Sequence, residues 1–522
     1  MATASPSFIT TQEPSQKMNN TLELATEFAP DILADIPTPD PFEEIIAKHG
    51  APFILNTKGQ PTGFNPMFAP GVYSTRNDVI HDSLTRSFYE YQGINGLWAI
   101  ASPDAMRGKL NDLIVEIGGV LDQANLAAKE RSDSKLVGAL NNLRALTDGR
   151  FDDRPSGFVH CKNGMLDVAT GELHPFAPAF KSRNQTPFEW DENATCPRFF
   201  NELLEPAIDA DDIAILQLYT GMALMGRNLA QRLVLLTGTA GGGKSQFLVV
   251  MEGLIGRLNC AQLRTEMLAE RFELARLVGK TLLAGKDVPG NFLMTKGAYV
   301  LKALTGGDSM ETELKGRMGS DSLDGEFCAI VTSNSRLRVR LDGDTAAWRR
   351  RLMIVNYDRP KPKTAIPDFG RQLLEQEGSG ILAWAVEGAR RLLALDYQIP
   401  VTPGQQCRVD SLLDESDSLK TFIAGEIQPA AGQALTTTEI IERYFAFCDA
   451  RGWKTDSVRD VERELPDVLM ELHRVAKSNS VEHAGKTAKG YRGVEFTQKG
   501  QNGTVGTAQT NPYVSENEIS FI

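Results

Sequence analysis

The chain has 522 residues, 42% of them hydrophobic and 23% charged, with a formal net charge of −12. That is the composition of a soluble globular protein with room for two to four domains, and it excludes a global basic field for nucleic acid, so any such contact must use a local patch. No apolar run approaches the roughly 18 residues of a membrane span, and the N-terminus lacks the basic-then-apolar order of a secretory signal.

The six cysteines form no C-x-x-C pair and no zinc spacing with the six histidines, which predicts reduced core thiols in an intracellular, cytoplasmic protein. The first 41 residues are rich in Ser, Thr, Pro, Gln and acids, and Pro- and Gly-punctuated sequence continues beyond them. Residues 1–77 are therefore expected to be mostly a disordered tail.

Residues 78–205 read as a small α+β domain. Ser87 to Tyr91 and Leu97 to Ile100 predict a hairpin, helical periodicity runs from Pro103 to about Ala145 with a break near Ala128, and Phe158 to Val168 reads as strand, Asn-Gly turn, strand. His160 is expected to be a hydrogen-bonded strand residue, since no second ligand stands at a useful spacing.

From 206 to 400 strands and helices alternate, which predicts a parallel sheet with helices on both faces. Leu233 to Leu236 is continuously apolar, Gly238 to Ser245 fits G-x-x-x-x-G-K-[ST], and Phe247, Leu248, Met251, Leu254 and Ile255 follow at helical spacing before Gly256. Strand, glycine-rich loop and helix in that order predict a phosphate cradle. The backbone N–H groups of Gly238, Gly241, Gly242 and Gly243 would wrap phosphate, Lys244 would reach the β and γ oxygens, and Ser245 would hold Mg²⁺.

About forty residues on, Thr281 to Gly285 is strand-like and leads to Lys286-Asp287. A carboxylate there suits the metal and the attacking water, although a strand-terminal Asp also serves as a turn or cap residue. Phe327 to Thr332 predicts a second buried strand, ending at Asn334, whose amide can orient water without adding charge. Trp348-Arg349-Arg350-Arg351 follows. Three adjacent arginines fit a solvated face, or an arginine supplied to a neighbouring subunit's ATP.

Residues 401–499 begin a different pattern. Thr436-x-x-Glu439 predicts a capping box, short helices flank Pro466, and Val481 to Phe496 reads as a hairpin, together suggesting a winged-helix-like domain. Residues 500–522 read as a flexible tail.

The order Gly238 to Ser245, Asp287, Thr305-Gly306-Gly307-Asp308, Ile330 to Asn334 and Trp348-Arg349-Arg350 resembles the superfamily 3 helicases. The resemblance is in particular to the phage and plasmid primase-helicase branch related to the poxvirus enzyme. Lys162 to Asp167 and Ala194 to Phe199 are similar to the domain preceding the motor there.

The resemblance implies an AAA+-like P-loop ATPase, usually a hexameric ring, moving 3′ to 5′ on single-stranded DNA at a forked duplex, with ATP and Mg²⁺ as cofactors. Carried over, Asp287 is the second acidic motif, Asn334 the sensor and Arg350 the finger, with Arg349 next and Arg351 a third candidate. Lys315 and Arg317 fall where the family has a DNA-tracking hairpin.

One departure is that Lys286 occupies the place of a second acid, so Asp287 acts alone or another carboxylate, such as Asp308, assists. From Lys315 to Arg351, eight basic residues stand against five acidic ones, enough for a basic lining on a ring axis or for a basic surface strip. The rival readings are an AAA+-like protein remodeller without DNA stimulation and a non-catalytic origin-binding scaffold that contacts DNA near Lys477 to Arg492. No primase pattern is present, so priming would come from a separate chain.

Overall fold

The computed structural model describes residues 43–83, 85–151, 155–313, 320–335, 337–341, 344–483 and 485–497. The chain divides into two compact units, Met1–Arg154 with Ala177–Lys181, and Pro155–Phe176 with Ser182–Ile522.

In the first unit, helix Glu43–His49, a hairpin of Phe53–Leu55 with Pro61–Phe64, and helix Phe68–Arg76 precede a four-stranded sheet. The expected tail therefore gives way to folded structure from Glu43 onward. Phe68, Ala69, Val72 and Tyr73 are buried against Met106, Leu110, Ile114 and Leu143 of the later helices. Full burial of side chains such as Phe68 and Val72 contributes about 1.5–3 kcal/mol each, enough to order a segment whose prolines and glycines read as linker.

The predicted hairpin is present as Ser87–Gln92 paired with Leu97–Ala101. The predicted helical stretch is three helices, Pro103–Val120, Ala124–Lys129 and Asp133–Leu146. The first of them starts at Ser102, whose hydroxyl accepts from Ala105 N at 3.1 Å, with Pro103 supplying a pre-set φ. One face of the sheet gathers Tyr89, Trp98 and Phe151, and Trp98 Nε1 donates to Pro178 O at 3.0 Å, so the short segment Ala177–Lys181 completes this unit. Of the stretch 78–205, residues 155–176 and 182–205 belong to the second compact unit.

The second unit opens with the small sheet Phe158–Cys161, Gly164–Asp167 and Leu173–His174. Buried His160 bonds Ser182 Oγ through Nδ1 at 2.8 Å, as a strand histidine should. Helix α1 (Ala210–Met225) then leads to β1 (Leu233–Gly238), α2 (Lys244–Ile255), β2 (Cys260–Gln262), β3 (Leu282–Gly285) and α3 (Gly297–Leu304). A hairpin of β4 (Ser309–Glu313) and β5 (Ser320–Asp324) precedes β6 (Cys328–Thr332), α4 (Thr345–Arg351), β7 (Leu352–Tyr357) and the long α5 (Phe369–Ala394).

Five strands form one parallel sheet in the order β2-β3-β6-β1-β7. The continuous apolar runs predicted to be strands buried on both faces are so: Leu233 to Leu236 and Cys328 to Val331 are essentially inaccessible. Alternate residues feed two cores. Val234, Leu236 and Ile330 face α1, α2 and α5, and Leu233, Leu235 and Val331 face α3 and α4.

Helices α1 and α5 touch backbone to backbone. A Cβ on Gly221 would stand 2.2 Å from Ala389 N, and one on Gly388 would stand 2.2 Å from Gln217 O. The α/β class read from the sequence is the architecture found.

After α6 (Pro403–Ser416) come α7 (Ser418–Glu426), β8 (Ile427–Thr436), α8 (Thr437–Asp449), α9 (Val458–His473), β9 (Lys477–His483) and β10 (Lys486–Phe496). The three strands form an antiparallel sheet in the order β8-β10-β9. The Thr436–Glu439 capping box is present, while the helices expected to flank Pro466 are a single helix with Pro466 inside it.

Candidate active site

Parallel strands deliver their C-terminal ends to one edge. Leu236 lies opposite Thr332, Gly285 lies opposite Val331, and Ser333 N donates to Leu236 O at 2.9 Å. The loop after β1, Asp287 after β3 and Asn334 after β6 therefore emerge side by side, as the crevice rule for open α/β sheets requires.

The loop itself depends on two glycines. Gly238 has φ 119°, and a Cβ there would stand 2.5 Å from Tyr357 O on β7. Gly243, at φ 102°, caps α2 and turns the chain into the helix. Neither position admits another residue without strain. Lys244 is buried, and its Nζ donates to Gly238 O at 2.8 Å and Thr239 O at 2.7 Å, folding the ammonium back along the loop. Burial lowers its pKa, the Asp287 and Asp358 carboxylates oppose that shift, and Lys361 adds to it. The Ser245 residue at the head of α2 is exposed.

Asp287 sits at φ 50°, a left-handed conformation that Asp tolerates better than most residues. Its N–H donates to Thr332 Oγ1 at 2.9 Å, and its Oδ1 accepts from Asn334 Nδ2 at 2.7 Å. The two polar residues read separately from the ends of two strands are in direct contact. Lys286 points elsewhere, pairing with Glu252 of α2 at 2.7 Å.

Residues 72–208 match the family described as D5 N terminal like. Residues 236–351, which hold the loop, Asp287, Asn334 and the arginine run, match a family of unknown function, DUF5906. The chain is also similar to "The apo structure of NrS-1 C terminal region (305-718)", at 11% identity and a TM-score of 0.46, over 82% of this chain and 98% of that one. A second such structure, "The A form apo structure of NrS-1 C terminal region-CTR", gives 11% identity and a TM-score of 0.45 over 82% and 99%.

The arginines lie at the other edge of the sheet. Leu352 stands opposite Leu233 and Tyr357 opposite Gly238, so Arg351 is separated from the chain's own loop by the length of β7, about 16 Å at ~3.3 Å per residue. Within the run the three side chains differ. Arg351 is buried, with Nη1 donating to Ala347 O at 3.2 Å. Arg349 pairs with Asp410 at 2.9 Å. Arg350 is exposed and has no ion-pair partner among the described residues.

Asp308 belongs to this far edge too: Gln231, just before β1, donates through Nε2 to Gly306 O at 2.8 Å, and Asp308 acts electrostatically on Arg351. It is therefore remote from the phosphate loop. Lys315 and Arg317 lie outside the described residues, between the described arms β4 and β5, and Arg336 is likewise outside them. Arg338 is committed within the chain, paired with Asp456 at 2.8 Å and mostly covered.

Sequence reasoning missed the turn after β7. Tyr357 backs the loop: hypothetical Cβ atoms on Gly242 and Gly243 would lie 3.3 and 3.7 Å from its side chain. Asp358 and Lys361 follow at once. The signal was a strand ending in charged residues between prolines, and only the strand order shows that this end is beside the loop.

Proposed function

We propose that the chain is an ATP-dependent motor of the superfamily 3 helicase type, acting on single-stranded DNA in replication of a phage- or plasmid-like element. The observation that carries the reading is the Asn334–Asp287 hydrogen bond beside the Gly238–Ser245 loop. It supplies a phosphate cradle, a carboxylate and a neutral polar sensor on one sheet edge, which phosphoryl transfer to water needs. The D5 N terminal like match over 72–208 supports the assignment of a domain that precedes the motor, and the order α7-β8-α8-α9-β9-β10 supports the winged-helix-like reading of 401–499.

In this reading the Gly238, Gly241, Gly242 and Gly243 backbone and Lys244 hold the β- and γ-phosphates. Among the described residues no cluster of three or more His, Cys, Asp or Glu could hold a metal. Ser245 and Asp287 would hold Mg²⁺ arriving with ATP, an ion that needs only one or two protein oxygens. When bound it supplies charge neutralisation of the phosphates. The Asp287 carboxylate, oriented by the Asn334 amide, accepts the proton of the attacking water.

Arg350 is the finger, supplied to the ATP of the next protomer, because the length of β7 separates it from its own loop and its guanidinium is exposed, with no ion-pair partner among the described residues. A site completed in trans needs an oligomer, and the family resemblance implies a ring of six protomers. Lys315 and Arg317 track the strand.

The test is unwinding of a duplex with a 3′ single-stranded tail against one with a 5′ tail. ATP-dependent opening of the 3′-tailed substrate alone supports the reading. Hydrolysis indifferent to DNA with no unwinding would favour a protein remodeller instead.

A further inference from the structure

We infer that Lys361, on the turn leaving β7, is a second phosphate-binding lysine of the nucleotide site. This rests on the ATP-site reading above and goes beyond it, since the loop pattern ends at Ser245 and contains no such residue.

Lys361 lies across the middle of the phosphate loop. Its Cδ and Cε would be 3.4 and 3.8 Å from a Cβ built on Gly241. The lysine stem therefore runs within van der Waals reach of the loop at Gly241, as the apolar part of a side chain whose charged end stays in water. The side chain is exposed and has no ion-pair partner among the described residues.

The turn that carries it is stiff. Pro360 and Pro362 flank it, fixing φ on both sides and holding Lys361 extended. Arg359 pins the same turn to the chain before α1, donating through Nη1 to Glu205 O at 2.5 Å and pairing with Asp209. Little ordering is then left to do when a ligand arrives, which favours binding.

Two ammonium groups from different elements thus converge on one loop. They repel in the absence of ligand, and the Asp287 and Asp358 carboxylates offset that repulsion at Lys244. A polyphosphate relieves that repulsion, and a charge-assisted contact to phosphate is among the stronger hydrogen bonds. Because Lys361 covers Gly241 and not Asp287 or Asn334, it contributes to holding ATP and ADP alike and not to the hydrolytic step.

The experiment is equilibrium binding of fluorescent ATP and ADP analogues to the full chain and to K361A, K361R and K244A, with inorganic pyrophosphate as competitor, alongside steady-state hydrolysis. K361A should weaken ATP, ADP and pyrophosphate by about tenfold, the loss of one charged contact. It should raise KM by the same factor with kcat unchanged, and K361R should recover most of the loss. Unchanged affinities in K361A overturn the inference while leaving the ATP site standing if K244A still loses binding. Weaker ADP with unchanged pyrophosphate competition also overturns it, assigning Lys361 to the nucleoside. A parent protein that binds none of the three removes both this inference and the ATP-site reading.

Discussion

Within the arginine run, neighbouring residues have different jobs. Arg351 is a structural residue of α4, Arg349 is tied to Asp410, and Arg350 is left to reach outward. Arg350→Ala should lower kcat for ATP hydrolysis by about 10³ to 10⁵, the worth of an arginine finger, with nucleotide affinity near the parent's. Arg349→Ala should change it far less. Mixing Arg350→Ala with Lys244→Ala protomers should restore part of the activity, because each defect is complemented at an interface between the two. No recovery in mixed oligomers would return Arg350 to the solvated face.

On the opposite edge, Asp287→Asn and Asn334→Ala should each cut hydrolysis at least a hundredfold without loss of ATP binding, in the range seen when one positioned polar group is removed. The positions of Asp287, Asn334 and the loop residues at strand ends, not their roles, were legible in the sequence because each follows a strand whose apolar run is unbroken. The pairing of Arg349 with Asp410 was not, since it spans 61 positions of the sequence and no local pattern records it.

The elements that aim these residues are held by contacts just as non-local. Gly221 and Gly388 let α1 and α5 meet backbone to backbone behind the sheet. Gly221→Ala should destabilise the second unit by about 1–3 kcal/mol through overpacking, read as a lower denaturant midpoint with an unchanged slope. An unshifted midpoint would mean the helices part without cost.

In α5, Glu377 interrupts the helix at φ −129°, ψ 18°, and its two carboxylate oxygens accept from Arg198 N and Phe199 N at 2.9 Å each. Glu377→Ala leaves both donors unmet, a loss of about 1–3 kcal/mol, and should speed hydrogen exchange at those two amides. The amphipathic helices and the capping box were predictable from periodicity and local chemistry. The fate of residues 43–77 was not, because their ordering comes from later helices that cover Phe68 and Val72, and a Pro- and Gly-rich stretch carries no sign of that cover.

Across the whole molecule, the cysteine reading extends to a chemical test. Burial pushes the thiols of Cys161, Cys196 and Cys260 up to about 12 and raises Cys328 further, whereas Cys407 is exposed. Iodoacetamide at neutral pH should therefore modify Cys407 first in the folded chain, and peptide mapping that finds Cys161 or Cys328 labelled as fast would contradict the packing described.

The charge distribution bears on where DNA can touch. Helix α9 carries Asp460, Glu462, Glu464, Asp467 and Glu471 against Arg459 and Arg463, which disfavours a phosphate backbone along it.

The central claim is that the edge formed by Gly238–Ser245, Asp287 and Asn334 hydrolyses ATP in response to single-stranded DNA. The most direct measurement is steady-state ATP hydrolysis with Mg²⁺, with and without single-stranded DNA, for the parent chain and Lys244→Ala. The account predicts hydrolysis in the parent that rises when DNA is added and is abolished in Lys244→Ala. A folded parent that hydrolyses no ATP under either condition, or hydrolysis that Lys244→Ala retains, would contradict it.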